Sequence, residues 1–526
     1  MTLDAERSRR ITAPDRAGAL PGPGRERLAV LLVLCGTGFL LTEDVSLHSI
    51  AVPTLLQQLG DRPNLHIAQW SPKVYMLAFA ALLMAGGTLS DRFGAKRFLV
   101  GGYLLYLAGA VVHLALPSTA LPLALARVVM GAAVALIIPA TLSILSAVSG
   151  SALQRARAIT LWAGCCAAGV TVVPLVTGLL LNNVLWPKVM AAIGITAVAL
   201  LIGVIALVPK VPADPDSECD WPSTITITFG TGLVAFALMQ APDWGWLAPW
   251  VAGPMTAGIV LCVVSAIIRC GGQLPYDCLI TADARLRPAM FALAVGVSAL
   301  CGTVFLAVQY LQAVRGHAPI VAGTLIFLPS CAATVLGAKL GSLVQRSYGV
   351  TAALTIGLTA ILDGLAIGLT ADAAGDLGSI VLMVTVASVG FGMVMSVGLD
   401  LMSAALPLSN YGTAWAATET MVQIGGLVGL ALVGSLVDRG YHDRLRLPSA
   451  LITAEGATVT RDSLGKGVAA AASAGTSLAD AVQNAFLAGY RHGLLALIVV
   501  VATVMVAILA AAARSKSRRG AAPLRR

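Results

Sequence analysis

Apolar residues come in continuous runs along this chain rather than in the periodic stripes of a water-soluble helix. Each run is about twenty residues long, enough at about 1.5 Å per residue to cross a hydrocarbon core of about 30 Å. The first half divides into Leu28–Leu47, Trp70–Gly87, Phe98–Leu116, Leu121–Val148, Ala158–Leu181 and Met190–Val208. Two further runs, Ser223–Leu238 and Trp250–Ile268, follow a Pro-rich polar linker. The second half repeats the first with Ala289–Val314, Ile320–Leu343, Thr351–Thr370, Leu377–Ala405, Thr413–Val437 and Ala485–Ala513. The pattern predicts an all-α polytopic membrane protein with fourteen spans.

Charge sets the expected orientation. Arginines crowd the two ends, from Arg7 to Arg27 and from Arg514 to Arg526, and basic residues mark alternate loops. By the positive-inside rule both tails are expected in the cytoplasm, which an even number of spans requires. Residues 1–26 have no periodicity and are expected to be disordered; residues 514–526 form a basic tail. Between them the chain divides into a six-helix bundle over 27–208, a linker with two extra helices over 209–287 and a second six-helix bundle over 288–513. The longest connection, 438–484, falls on the outer side and is rich in Ala, so a helical hairpin over the outer mouth is expected.

Composition agrees: 58% of residues are hydrophobic, only 11% are charged, and the mean hydropathy is +0.87. The net charge of +9 follows topology and is no nucleic-acid footprint. Nine cysteines fall in spans or inner loops without a C-x-x-C pair, so neither a disulfide framework nor a zinc site is expected. The phosphate loop G-x-x-x-x-G-K-[ST] is missing, as are H-E-x-x-H and G-x-S-x-G, which argues against ATP-driven transport and against hydrolysis.

Against so few charges, the connection Gly87–Arg97, G-T-L-S-D-R-F-G-A-K-R, stands out. It resembles the loop between the second and third helices of major facilitator superfamily transporters. The resemblance implies two six-helix bundles, here with two extra central helices, and a conformational gate made of Gly87, Asp91, Arg92, Gly94, Lys96 and Arg97. Its acid would latch the inner face against the other half, with the start of span thirteen, Asn410–Thr413, as one docking site. A fainter copy, G-S-L-V-Q-R-S-Y-G-V from Gly341, puts Gln345 where Asp91 stands and fits a chain built of two related halves.

Other motifs resemble the fourteen-span drug:H+ antiporters of that superfamily. D-V-S-L-H-S-I-A-V-P matches their first-helix signature at Asp44 and Pro53, with Ser46 and Ser49 in place of Thr and Asn. His48 shares a helix face with Asp44, and Glu43 is rotated about 100° away. A buried acid beside a His is suited to taking up a proton; the plainer reading is a polar pair that packs helices. L-A-R-V-V-M-G-A places Arg127 where relatives couple protonation to movement, the alternative being snorkelling to the outer interface. Span five resembles the antiporter motif at Gly169, Pro174 and Gly178, although Val173 and Thr177 replace glycines. Y-L-Q-A-V-R-G-H-A-P and A-T-E-T-M-V-Q-I-G-G supply the remaining matches. Glu419 stands where quaternary-ammonium exporters carry an acid; the alternative is a buried hydrogen-bonded carboxyl.

The implied cavity wall comprises Glu43, Trp70, Lys73, Tyr75, Gln309, Tyr310, Gln312 and Gln423. Lys73 departs from the family, which has a small polar residue or an acid there. Snorkelling is the favoured reading; on the cavity wall Lys73 would repel dications. Lys339 is also expected to snorkel, and Asp363 and Asp400 have no assigned role. The resemblance implies a monomeric, proton-coupled exporter of lipophilic compounds in a bacterial inner membrane, with Asp44, His48, Arg127 and Glu419 in proton coupling. It needs no cofactor beyond the proton gradient and no metal. Export of an endogenous lipid or natural product, uptake, and a polytopic membrane enzyme are the alternatives.

Overall fold

The computed structural model describes residues 26–42, 65–115, 120–149, 151, 154–155, 157–166, 168–169, 186–211, 221–270, 286–371, 377–405, 411–445 and 476–520. These residues form helices throughout: α1 (26–42), α2 (Leu65–Phe93), α3 (Ala95–Ala115), α4 (Ala120–Ala147), α5 (157–166), α6 (Trp186–Leu207), α7 (Trp221–Trp244) and α8 (Pro249–Cys270). The second half adds α9 (Leu286–Ala313), α10 (Pro319–Tyr348), α11 (Val350–Gly368), α12 (Leu377–Ala405), α13 (Tyr411–Arg444) and α14 (Thr476–Gly520). Eleven of the described helices are long and apolar enough to cross a membrane; α6 contributes a shorter apolar stretch, Ala191–Leu207.

Two cores reflect two bundles. One gathers α1 to α6 around Leu34, Leu83, Tyr103, Tyr106 and Met130; the other gathers α9 to α14 around Leu293, Tyr310, Leu358, Val394 and Tyr490. The packing order repeats. α4 lies between α2 and α3 in the first bundle as α12 lies between α10 and α11 in the second. α1 is held in its bundle by Tyr103, whose hydroxyl donates to Thr37 Oγ1 at 2.8 Å, and by Trp162 and Cys166 of α5, which pack over Gly38.

The two extra helices pair through Ser223 and Ser265, whose hydroxyls lie 2.8 Å apart. α7 rests on both bundles, against α2 and α13. It reaches Trp244 rather than stopping near Leu238, because the last turn tolerates Pro242 and the break comes at Gly245, whose N–H bonds Ala241 O. The outer connection is likewise shorter than the expected 438–484. α13 runs to Arg444 and α14 starts at Thr476, and the two pack together where Gly440 meets Gly489. At 34 and 45 residues these helices are longer than the roughly 30 Å of hydrocarbon requires. The middle of the expected hairpin lies outside the described residues. α14 also carries the start of the expected basic tail, as helix through Gly520.

Lys73 is paired with α7 through its side chain. Its Nζ donates to Asp243 Oδ2 at 2.7 Å and to Gln240 Oε1 at 3.2 Å, both on α7. Trp70 stacks on Phe236 of the same helix, ring centroids 6.3 Å apart. The pair is partly exposed, with the Asp243 side chain 58% accessible, and it ties α2 to α7. Lys73→Cys with Asp243→Cys is therefore expected to be joined by a short bismaleimide in the intact chain, whereas Lys73→Cys with Lys339→Cys is not. Gel mobility after a protease cut between α2 and α7 reads the result.

Candidate functional site

The Gly87–Arg97 loop forms a close junction between the bundles. α2 ends at Phe93, and Gly94 makes the turn with φ +98°, a left-handed conformation that glycine adopts without steric penalty. At Gly87 the α2 backbone lies against Ala416 and the carbonyl of Gly412 on α13, where a Cβ would collide. That approach brings the Asp91 carboxylate onto the first turn of α13. Oδ1 accepts the Gly412 N–H at 2.7 Å; Oδ2 accepts the Thr413 N–H at 2.7 Å and the Thr413 hydroxyl at 2.8 Å. These first-turn N–H groups have no partner within their own helix, and the helix dipole favours a negative charge there.

The other loop residues divide the work. Lys96 Nζ donates to the carbonyls of Ile205 at 2.9 Å and Val208 at 2.6 Å, closing the C-terminus of α6. The Arg92 guanidinium lies over Phe93, and Arg97 is exposed. One turn into α13, buried Trp415 donates its indole N–H to Ser146 Oγ of α4 at 3.0 Å. In the second half Gln345, at the place matching Asp91, donates to Asp400 of α12 at 2.8 Å. The repeat thus bonds within its own bundle, and Asp400 acquires a partner.

Glu419 lies six residues beyond Thr413, about 9 Å along the axis. It is deep between the bundles yet keeps part of its surface accessible. Gln423 Nε2 donates to its Oε1 at 3.1 Å, and Cys166 of α5, in the opposite bundle, lies within electrostatic range. Further along, Gly425 O accepts from Ser298 of α9 at 2.6 Å, and Ser435 accepts from Trp246, past the end of α7, at 3.0 Å.

Arg127 is 1% exposed, with its guanidinium 5.5 Å from the ring centre of buried Tyr75, so the snorkelling alternative does not hold. Tyr310, expected on the cavity wall, has no exposed surface; its ring packs on Tyr490 at 5.8 Å inside the second bundle. Gln309 and Gln312 flank it, half-buried, on other faces of α9. Gly169 is buried, while Lys339 and Asp363 are exposed. Glu43, Asp44, His48, Pro174 and Gly178 lie outside the described residues. Sequence reasoning missed Asp243, Ser146, Trp415 and Cys166. The signal for Asp243 was its spacing from Gln240, three residues along one face of α7; the others are ordinary residues of apolar runs.

Two related bundles that meet along α2, α4 and α13, with an acid between them, define a polytopic carrier-type membrane protein. The family model described as Major Facilitator Superfamily matches residues 34–430, and the chain belongs to that superfamily. It is 29% identical to the multidrug efflux pump LfrA of Mycolicibacterium smegmatis over 87% of this chain and 91% of that pump. It is also 29% identical to a probable actinorhodin transporter of Streptomyces coelicolor, over 80% of this chain and 74% of that one. Among solved structures, the human organic anion transporter MFSD10 superposes with TM-score 0.58 at 11% identity, covering 93% of this chain and all of that one. A bacterial homologue of the lysosomal transporter Spinster gives 0.56 at 14% identity, covering 93% and 98%.

Asp91→Asn removes the charge but keeps the shape. Hydrogen bonds to a charged group contribute about 1.5–3 kcal/mol, so the closed junction should lose at least about tenfold in population. Transport is expected to fall while drug binding, measured by fluorescence in detergent, stays within about twofold. Unchanged export would remove Asp91 from the gate.

Proposed function

We propose that this protein is a fourteen-span, proton-driven exporter of lipophilic compounds in a bacterial inner membrane, with both tails and the Asp91 loop in the cytoplasm. The observation that carries the reading is the pairing of a closed junction at Asp91 with a half-buried acid on the same helix, α13. An acid at membrane depth costs roughly 2.5–3.5 kcal/mol on insertion scales and calls for a role. Glu419, and Asp44 on the first span, supply protonatable groups on opposite bundles. Protonation from outside discharges them, weakens their hold on cargo and favours rocking of one bundle against the other. A potential supplies about 2.3 kcal/mol per charge per 100 mV, enough for an outward gradient of tens of fold.

Lys73 bears on specificity. Neutralised by Asp243 and engaged with α7, it does not present a free positive charge to cargo. Lipophilic cations therefore remain within the substrate range. The efflux pumps among the relatives support drug export; the probable actinorhodin transporter and the tetracenomycin C resistance and export protein favour a second reading, in which the cargo is an endogenous natural product.

The test is a drug-accumulation panel in a pump-deleted host, with proton movement followed in proteoliposomes by a pH-sensitive dye. Asp44→Asn is expected to abolish both export and substrate-induced proton flux. Glu419→Gln should cut cation export at least about tenfold, the change matching about 1.4 kcal/mol, and spare neutral cargo more. Normal export by Asp44→Asn would show that the proton site has been assigned to the wrong acid.

A further inference from the structure

A cavity of about 270 Å³ lies away from the seam between the bundles. It opens among the start of α1, the end of α4 and the start of α5, so every residue lining it belongs to the first bundle. Its polar side is made by Arg27, Arg157, Gln154 and Ser149, and its apolar side includes Leu31 and Leu161. Among the described residues the lining carries Arg27 and Arg157 and no acid. Ser149 lies three residues beyond Ser146, which meets α13 at the closed junction, so the cavity sits at the Asp91 end of the molecule.

Beside it the surface is apolar and uncovered: Leu28, Leu32 and Leu161 are 55%, 61% and 50% exposed. The exposed leucines and the arginines thus adjoin one another at one end of the bundle. A ligand matching both sides has an anionic head and acyl chains. We propose that this cavity binds the headgroup phosphate of an anionic phospholipid from the adjoining leaflet, with Arg157 and Arg27 holding the phosphate and the acyl chains lying along Leu31 and Leu161. Basic pockets between helices at a membrane face are suited to such lipids, and a guanidinium fork fits phosphate oxygens in pairs. A free phosphate would gain nothing from the apolar side.

The experiment is native mass spectrometry of the full chain, delipidated and then titrated with phosphatidylglycerol or phosphatidylcholine of the same acyl chains. The parent is expected to retain phosphatidylglycerol in preference to phosphatidylcholine. Arg157→Gln should lower that retention about tenfold, the scale of a lost charged hydrogen bond. Arg157→Lys, which keeps the charge without the fork, should fall between, and Arg346→Gln, an exposed arginine of the second bundle, should match the parent. Equal retention of the two lipids by the parent, or an Arg157→Gln protein that keeps phosphatidylglycerol as the parent does, would overturn the proposal. So would displacement of the lipid by millimolar glycerol 3-phosphate, which would mark a free-phosphate site. The readout is independent of transport, so it stands or falls separately from the exporter reading.

Discussion

The closed junction depends on one carboxylate placed against the start of one helix. Asp91 satisfies the Gly412 and Thr413 N–H groups that α13 cannot satisfy itself, and it adds the Thr413 hydroxyl. Its own loop supplies the geometry. Gly87 allows the two backbones to touch, Gly94 turns the chain, and Lys96 fixes the loop to α6. The contact is electrostatic and directional, with little apolar area of its own, so separating it costs a few kcal/mol rather than the tens needed to break a core. Under the proposed alternating access, a contact of that modest strength can open and re-form.

α13 links this junction to the rest of the molecule. Along one face and then another it meets Asp91 and Ser146 of the first bundle, carries Glu419 and Gln423 into the space between bundles, and reaches Ser298 and Trp246 further on. Movement at the Asp91 end is therefore movement of the helix that holds the central acid. α7 contacts both α2 and α13, with Lys73, Asp243 and Trp246 supplying its polar ties. The extra helices thus bridge the bundles at the end opposite the latch.

Much of this was legible in the sequence because it rests on local chemistry. Apolar runs locate the spans, and the charged loop with its two glycines locates the junction. Even its docking partner followed, since a helix N-terminus is where an acid is best placed. What escaped reading depends on the distance between elements. Lys73 looked isolated because its partner lies 170 residues away on a helix with no counterpart in a twelve-helix plan. Tyr310 belongs to a matched motif, yet its ring fills a core, and a motif does not tell which face of a helix looks inward. The extension of α13 and α14 past the apolar runs was hidden because hydropathy marks where hydrocarbon ends, not where a helix does.

The most direct measurement is the spread of distances across the Asp91 end. Spin labels at Phe93 of α2 and Arg346 of α10, both exposed, report the two bundles at that face. Pulsed electron resonance on the otherwise unaltered chain should give a dominant short distance, and Asp91→Asn should transfer much of it to a longer, broader population. If the short population is the same with and without the Asp91 charge, then the bundles are held together by something other than this carboxylate.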